Sequence, residues 1–250
     1  MAITLLGVPV LAQGIPSAER QSGSAVLAPD TRAMQDNDRI NPAMLWAMEG
    51  ERLWSEPAGP EGRSCRACHG PAEQAMHGVA VRHPRFDPAS GQPVDLDGQI
   101  ESCRTGRQQA PAFGRESRSL LALSAYLGRQ SRGLSIAAPE DRRLEPALAL
   151  GEALFKARIG QLNLSCAQCH DALWGRRLGG SLIPQGHPDG YPVYRLEWQS
   201  LGSLQRRIRN CMTGVRAEPY PYGSAEMVAL ELYLKRRAAG MPLEAPGVRP

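Results

Sequence analysis

The chain has 250 residues, 42% hydrophobic and 22% charged, with 26 glycines and 21 prolines. That length holds one or two domains with cores of their own, and the ordinary charged and apolar fractions exclude a disordered chain or a fibrous repeat. A net charge of +4 is too small and too dispersed to point to nucleic acid, and no uncharged apolar run reaches the ~20 residues of a membrane-spanning helix.

Residues 1–12 are apolar and uncharged, and Val10-Leu11-Ala12 could serve as a small-residue cleavage site. No positive segment precedes them. They read as the tail of a secretory signal or a replaced leader, the alternative being a structureless N-terminus. Residues 13–40, rich in Ser, Gln, Asp and Arg, are expected to form an extended or loosely packed arm. A first domain is expected over 41–138. Its opening helix carries Gly50-Glu51-Arg52-Leu53-Trp54, fifteen positions before Cys65. Cys65-Arg66-Ala67-Cys68-His69 follows, then a long loop. Leu96, Ile100 and Cys103 come next at i, i+4, i+7, so the cysteine ends an apolar helical stripe. A helix over 120–127 closes the unit, and 131–146, with its Gly, Pro and charges, reads as a linker.

The chain then repeats itself over a second domain, 139–250. Gly151-Glu152-Ala153-Leu154-Phe155 precedes Cys166-Ala167-Gln168-Cys169-His170 by the same fifteen positions, an offset of 101 throughout. Leu204, Ile208 and Cys211 restore the apolar stripe, and Cys211-Met212-Thr213-Gly214 echoes Cys103-Arg104-Thr105-Gly106. Residues 225–234 form the last helix candidate, and 191–196 a short strand candidate. The tail after Gly240 has three prolines among its ten residues. It cannot be helical throughout and is expected to lie along a surface or stay loose. The fold class is therefore mostly α, two tandem modules with long loops related by internal duplication.

The two CxxCH motifs fit c-type haem attachment, which makes the modules cytochrome c-like. Two thiols one helical turn apart can add to the haem vinyl groups, and the next histidine then faces the iron as an axial ligand. The expected attachment residues are Cys65, Cys68, Cys166 and Cys169, with His69 and His170 as ligands, for two covalently attached haem c groups. A shared zinc site would place its CxxC pairs closer together, and a thioredoxin-like dithiol would need a βαβ setting. Covalent haem implies assembly outside the cytoplasm, so the protein is expected in the periplasm.

Each iron has a second axial position, open to Met, His, Cys or nothing. The spare histidines are His77, His83 and His187; a His-Pro pair recurs loosely at 83 and 187. The more regular pair is Cys103 and Cys211, read as thiolate ligands, with a mutual disulfide or inert buried thiols as alternatives. Arg206-Arg207-Ile208-Arg209-Asn210 gathers positive charge before Cys211. Arg207 shares a helix face with it at i, i+4, where a guanidinium would hold an oxyanion and favour the thiolate. Arg206 reads as solvated charge. Arg104 and Arg107 follow Cys103 instead of preceding it.

These residues, with Gly186-His187-Pro188-Asp189-Gly190-Tyr191-Pro192, Val215-Arg216-Ala217-Glu218-Pro219 and Pro246-Gly247-Val248-Arg249, resemble the SoxA family from about residue 40 onward. Members are haem-bearing subunits of the SoxAX cytochromes of bacterial sulfur oxidation. The resemblance implies oxidative coupling of thiosulfate to a cysteine of the SoxYZ carrier, with two electrons leaving through haem to a small SoxX cytochrome. It implies that Cys211 is the catalytic cysteine, as a persulfide that also ligates the second haem. Arg207 matches the family's substrate-binding arginine, Arg249 a second arginine close by, and His69 with Cys103 the ligands of the first haem in two-haem members. The alternatives are a dihaem electron carrier without its own substrate, or a peroxidase, against which two capped irons argue.

Overall fold

The computed structural model describes residues 14–250; the leader expected over 1–12 lies outside the described residues. Pro29, with its missing N–H, opens helix α1 (Pro29–Asp36). The first module begins with α2 (Ala43–Ser55), then α3 (Cys65–His69) and the short α4 (Ala72–Ala75). An antiparallel hairpin follows, β1 (Arg85–Asp87) with β2 (Gln92–Val94). Helix α5 (Leu96–Ser102) runs into a wider π turn, Cys103–Arg107, and α6 (Arg118–Arg129) closes the module. Asp95 caps α5 at Gly98 N and Ser117 caps α6 at Leu120 N, each satisfying a donor that the first helical turn leaves free.

The second module repeats this order. Helix α7 (Glu145–Lys156) leads to a π turn over Gln168–Ala172 that carries the second CxxCH. A small hairpin, β3 (Arg177–Leu178) with β4 (Ser181–Leu182), is inserted next. Then come β5 (Val193–Arg195) antiparallel to β6 (Ser200–Gly202), α8 (Leu204–Gly214), α9 (Ala225–Arg237) and β7 (Gly247–Arg249), which pairs parallel to β5. Only the β5 segment had a strand signal in the sequence. Strands this short carry too few residues for an alternating pattern.

The duplication is visible at the helix crossings. A Cβ built on Gly50 of α2 would lie 2.1 Å from the Ala122 carbonyl oxygen of α6, and one on Gly151 of α7 2.1 Å from that of Ala229 in α9. Both glycines are needed because the backbones touch where the first and last helices of each module cross. Trp54 then meets Tyr126 at 6.5 Å, and Phe155 meets Tyr233 at 5.4 Å. The isolated bridges Ala58–Arg63 and Ile159–Leu164 are equivalent as well. Beyond the CxxCH loops the offset becomes 108, which aligns β1 with β5, β2 with β6 and α5 with α8. At that offset the partner of His83-Pro84 is Tyr191-Pro192, both cis, and not His187-Pro188.

The tail and the arm are tied down more firmly than their composition suggests, although of residues 14–40 only Gln35 is buried. The tail after Gly240 is built into the molecule: Leu243 and Ala245 are buried with Ile136, Val81 and Ala238 in one cluster. Its backbone bonds to the linker, Gly133 N to Leu243 O at 2.8 Å and Ile136 N to Met241 O at 2.9 Å. Proline forbids helix there but not burial, because the linker supplies the backbone partners. The N-terminal arm also docks. Arg20 donates to Ala239 O at 2.9 Å, and Gln35 is buried with its amide on Glu244. Its polar side chains match polar groups of the distant tail, a complementarity invisible in composition.

Candidate functional site

In the second module Ser165 and Gln168 cap each other's backbone. Gln168 N donates to Ser165 Oγ at 3.2 Å and Ser165 N to Gln168 Oε1 at 2.8 Å. This reciprocal capping box fixes the turn bearing Cys166, Cys169 and His170. The His170 Nδ1 lies 2.7 Å from the Pro184 carbonyl, so Nδ1 carries the proton and Nε2 is left as the donor for a metal. Gly186 closes over the ring. A Cβ there would stand 3.0 Å from the imidazole Cγ and Nδ1. Burial, then the nearby Arg237 and Arg207 charges, pushes His170 below its ordinary value, toward the neutral form that ligates. The buried pair Arg237–Asp171, at 2.6 Å, ties this turn to α9, with the guanidinium 4.3 Å above the Phe155 ring.

In the first module Ser64 caps α3 at Ala67 N, 3.0 Å. His69 stacks on Trp54 at 5.6 Å, and the indole Nε1 donates to Gly70 O at 3.1 Å. Here the histidine leans on a ring where His170 is held by a carbonyl.

Each lone cysteine faces the CxxCH of its own module. Burial and then Cys103 push the Cys65 thiol up, and burial and then Cys211 push Cys166 up to about 11. All six cysteines are free thiols, so Cys103 and Cys211 are not joined. The apolar residues of each stripe join the core beside the CxxCH turn: Leu96 and Ile100 lie in one cluster with Cys65, Trp54 and Tyr126, and Leu204 and Ile208 in another with Cys166, Phe155 and Tyr233. Cys103 sits on the π turn, whereas Cys211 sits within regular α8.

The arginines before Cys211 divide sharply. Arg206 is not solvated charge; it stacks 4.2 Å over Trp198. Arg209 stacks 4.5 Å over Tyr222 and donates to Tyr220 O. Among the described residues, nothing engages the Arg207 guanidinium by hydrogen bond, ion pair or ring. The position equivalent to Arg207 in the first module is Gln99, whose amide lies 3.7 Å from Cys103 Sγ, and Arg104 is occupied by Phe113 at 3.7 Å. In the second module the free cation, Arg207, is half-buried and precedes the lone cysteine by one helical turn; in the first module Arg107 is also unengaged among the described residues, but it is exposed and follows Cys103 on the π turn. Arg249, on β7, is committed to Glu244 at 3.3 Å and to Gln35. Its charge still reaches Tyr191, whose phenol is pushed up by burial and pulled down by Arg207 and then Arg249, with Cys211 also in range.

Two spare histidines have other duties. His83 is buried, with Nδ1 2.9 Å from Val79 O, and burial lowers it to about 4. His187 shares a hydrogen bond with Gln185 at 3.1 Å. Sequence reasoning missed the brace on His170 from Pro184 and Gly186, and the place of Tyr191. Positive φ at both Gly78 and Gly186 is a mark of the repeat, but the contact of Gly186 with a ring is a tertiary one.

These residues fit haem. Each module presents two free thiols, a histidine and a facing lone thiol, the donor set for a covalently tethered iron with two protein ligands. Among the described residues, no three His, Cys, Asp or Glu converge as a bare metal would require, and no helix is long and apolar enough to cross a membrane. The SoxA/TsdA cytochrome c domain profile matches residues 49–136 and 150–243. The L-cysteine S-thiosulfotransferase subunit SoxA of Rhodovulum sulfidophilum is 32% identical over 231 residues, 92% of this chain and 80% of that one. The SoxA subunit of Paracoccus pantotrophus is 32% identical over 220 residues, 88% and 75% of the two chains. The crystal structure of SoxXA from P. pantotrophus superposes with a TM-score of 0.89 at 31% identity, covering 92% of this chain and 87% of that one.

Proposed function

This chain belongs to the SoxA/TsdA cytochrome c family, and on that footing we propose that it is the haem-bearing catalytic subunit of an L-cysteine S-thiosulfotransferase. It couples thiosulfate oxidatively to a cysteine of a SoxYZ-type carrier protein. The observation that carries this reading is the Arg207 guanidinium, unengaged and one turn from Cys211, in the module whose His170 is braced for iron. A dianion such as thiosulfate is drawn to an unpaired guanidinium in a partly buried site.

The reaction forms one sulfur–sulfur bond between the terminal sulfur of thiosulfate and the carrier thiol. One proton leaves the thiol and two electrons leave the sulfur pair. Haem c supplies the one-electron acceptors. Cys166 and Cys169 would tether the second haem, and His170 and Cys211 would bind its iron. Cys65, Cys68, His69 and Cys103 would do the same for a first, making this a two-haem subunit. Cys211 is the sulfur at which thiosulfate and carrier meet, and Arg207 orients the sulfonate end. Arg249, held by Glu244, contributes positive potential across Tyr191. The first haem domain spans 41–138 and the second 139–250. The relatives' subunit name supports the activity, and the SoxXA complex supports a small SoxX-type cytochrome as partner. Haem attachment by CxxCH supports a periplasmic location.

The test is Cys211→Ala in the haem-loaded protein, with haem content and thiosulfate coupling measured side by side. Both haems should stay attached while coupling is lost. Normal turnover would remove Cys211 from the chemistry. Intact mass of the wild-type chain should show one added sulfur on Cys211 if it works as a persulfide.

A further inference from the structure

Between the two modules lies a partly open cavity of about 50 Å³, room for a few waters. Its walls come from equivalent positions of the two repeats. Asp97 and Gln205 face it, as do Ser124 and Glu231, and Gly128 and Lys235. Ser124 Oγ donates to Asp97 in the first module. In the second, Gln205 Nε2 donates to Glu231 Oε2 at 3.3 Å, so the same pair of positions meets with the carboxylate exchanged. Gln205 also crosses the seam to Asp95 Oδ2 at 2.7 Å, and Arg115 holds that carboxylate at 2.5 and 2.9 Å.

The charges do not balance. From α5 and its cap come Asp95 and Asp97; from the loop before α6, Arg115 and Glu116; from α9, Glu231 and Lys235. Arg206 of α8 faces Glu116. His83, kept neutral by burial, and Asp189 face the cluster from the loops, Asp189 acting on Lys235 with the Glu244–Arg249 ion pair beside it. The cavity wall sets three carboxylates, Asp95, Asp97 and Glu231, against Lys235 and the Arg115 that holds Asp95, an excess of one negative charge that one proton cancels. Asp95 and Lys235 are buried, and Asp97 and Glu231 partly so. Burial, together with repulsion from Asp95, raises both Asp97 and Glu231 and favours holding that proton there.

The cavity touches both expected haem pockets through one residue each. Leu96 lines it and packs against the same core cluster as Cys65, and Leu204 lines it and belongs to the cluster against which Cys166 packs. We propose that this seam cavity is a proton-binding site, with Asp97 and Glu231 as acceptors, whose occupancy is linked to the redox state of the haem behind its walls. Reduction of a haem held in either module would add negative charge beyond Leu96 or Leu204 of the cavity wall. A carboxylate of the cluster takes one proton from solvent, and the added charge is cancelled. Electrons come from the thiosulfate coupling in turnover, or from any external reductant. The inference rests on haem occupancy and not on the identity of the sulfur substrate.

The experiment is spectroelectrochemical titration of the haem-loaded full chain from about pH 6 to about pH 9, beside Glu231→Gln and Asp97→Asn. The wild-type midpoint should fall as pH rises, at most by about 59 mV for each tenfold change in proton activity. The slope should shrink in either variant. Haem propionates contribute equally to all three proteins and cancel in the comparison. Reduced-minus-oxidised infrared spectra should show a carboxylic carbonyl band in the wild type that is lost in Glu231→Gln. Both amides imitate the protonated acid, and if one fails to fold the other carries the test. A pH-independent wild-type midpoint, or equal slopes in wild type and variants, overturns the proposal. Loss of coupling activity with the slopes preserved bears on the enzymatic reading alone.

Discussion

Replacing Gly151 by alanine tests whether the α7–α9 crossing sets the geometry of the second module. The new Cβ would lie 2.1 Å from the Ala229 carbonyl oxygen, 2.7 Å from its carbon and 2.8 Å from Tyr233 Cβ. Ordinary contact needs more than 3 Å, so the helices must part by about 1 Å, and the obstacle is rigid helix backbone rather than a side-chain tip. Overpacking of this kind costs about 3 kcal/mol at the upper end of its usual range. Better helix propensity returns about 1 kcal/mol. A net loss of about 2 kcal/mol lowers the melting temperature by roughly 4–8 °C in a chain of this size. Calorimetry of the haem-loaded protein reads it. Gly214→Ala is the control, since its Cβ meets nothing within 4 Å, and it should leave stability equal or raise it by up to about 1 kcal/mol. Equal melting of Gly151→Ala and wild type would refute the close crossing as a constraint.

Removing Arg207 should act on substrate binding. Arg207→Ala is expected to raise the thiosulfate concentration for half-maximal coupling at least tenfold, since a charge-assisted hydrogen bond is worth about 1.5–3 kcal/mol; unchanged steady-state kinetics would return Arg207 to the surface. Arg206→Ala loses contacts with Trp198, the Leu201 carbonyl and Glu116, all away from Cys211, and should leave that concentration nearly unchanged. Gly186→Ala places a methyl 3.0 Å from the His170 ring at a backbone φ of +74°; the absorption and EPR spectra of the haem proposed at Cys166 and Cys169 should shift while any signal from the proposed first haem does not, and identical spectra would show that the ring is not held there. Burial raises Asp97 to about 7 and Glu231 to about 8. The unfolded chain sheds these protons in the ordinary carboxylate range, so the folded protein binds more of them up to neutrality and loses stability as pH rises through that window. Asp97→Asn should flatten the decline by up to about 1.4 kcal/mol per pH unit, and parallel melting curves from about pH 5 to about pH 8 would contradict it.

The functional chemistry was written locally. CxxCH fixes two thiols and an imidazole within a single turn, so its reading needs no tertiary information, and i, i+4, i+7 spacing alone placed Leu96 and Ile100 with Cys103 and Leu204 and Ile208 with Cys211. The repeat made each motif evidence for the other. Arg207 was visible for the same reason, since one helical turn separates it from Cys211. What distinguished it from Arg206 and Arg209 was not local: only the folded chain brings Trp198, Tyr222 and the Tyr220 carbonyl to its neighbours and leaves Arg207 free.

The tail and the arm show the same division. Their prolines and polar residues rule out long helices, and the sequence predicts looseness from that. Burial, however, depends on whether backbone and side-chain groups find partners, and here the partners lie more than a hundred residues away in sequence, as between Gln35 and Glu244 or between Gly133 and Leu243. The carboxylates of the seam were equally silent as single residues. Duplication put Asp97 and Glu231 into different halves of the chain, and only the docking of one module against the other turned two ordinary acids into neighbours sharing a cavity and a deficit of positive charge.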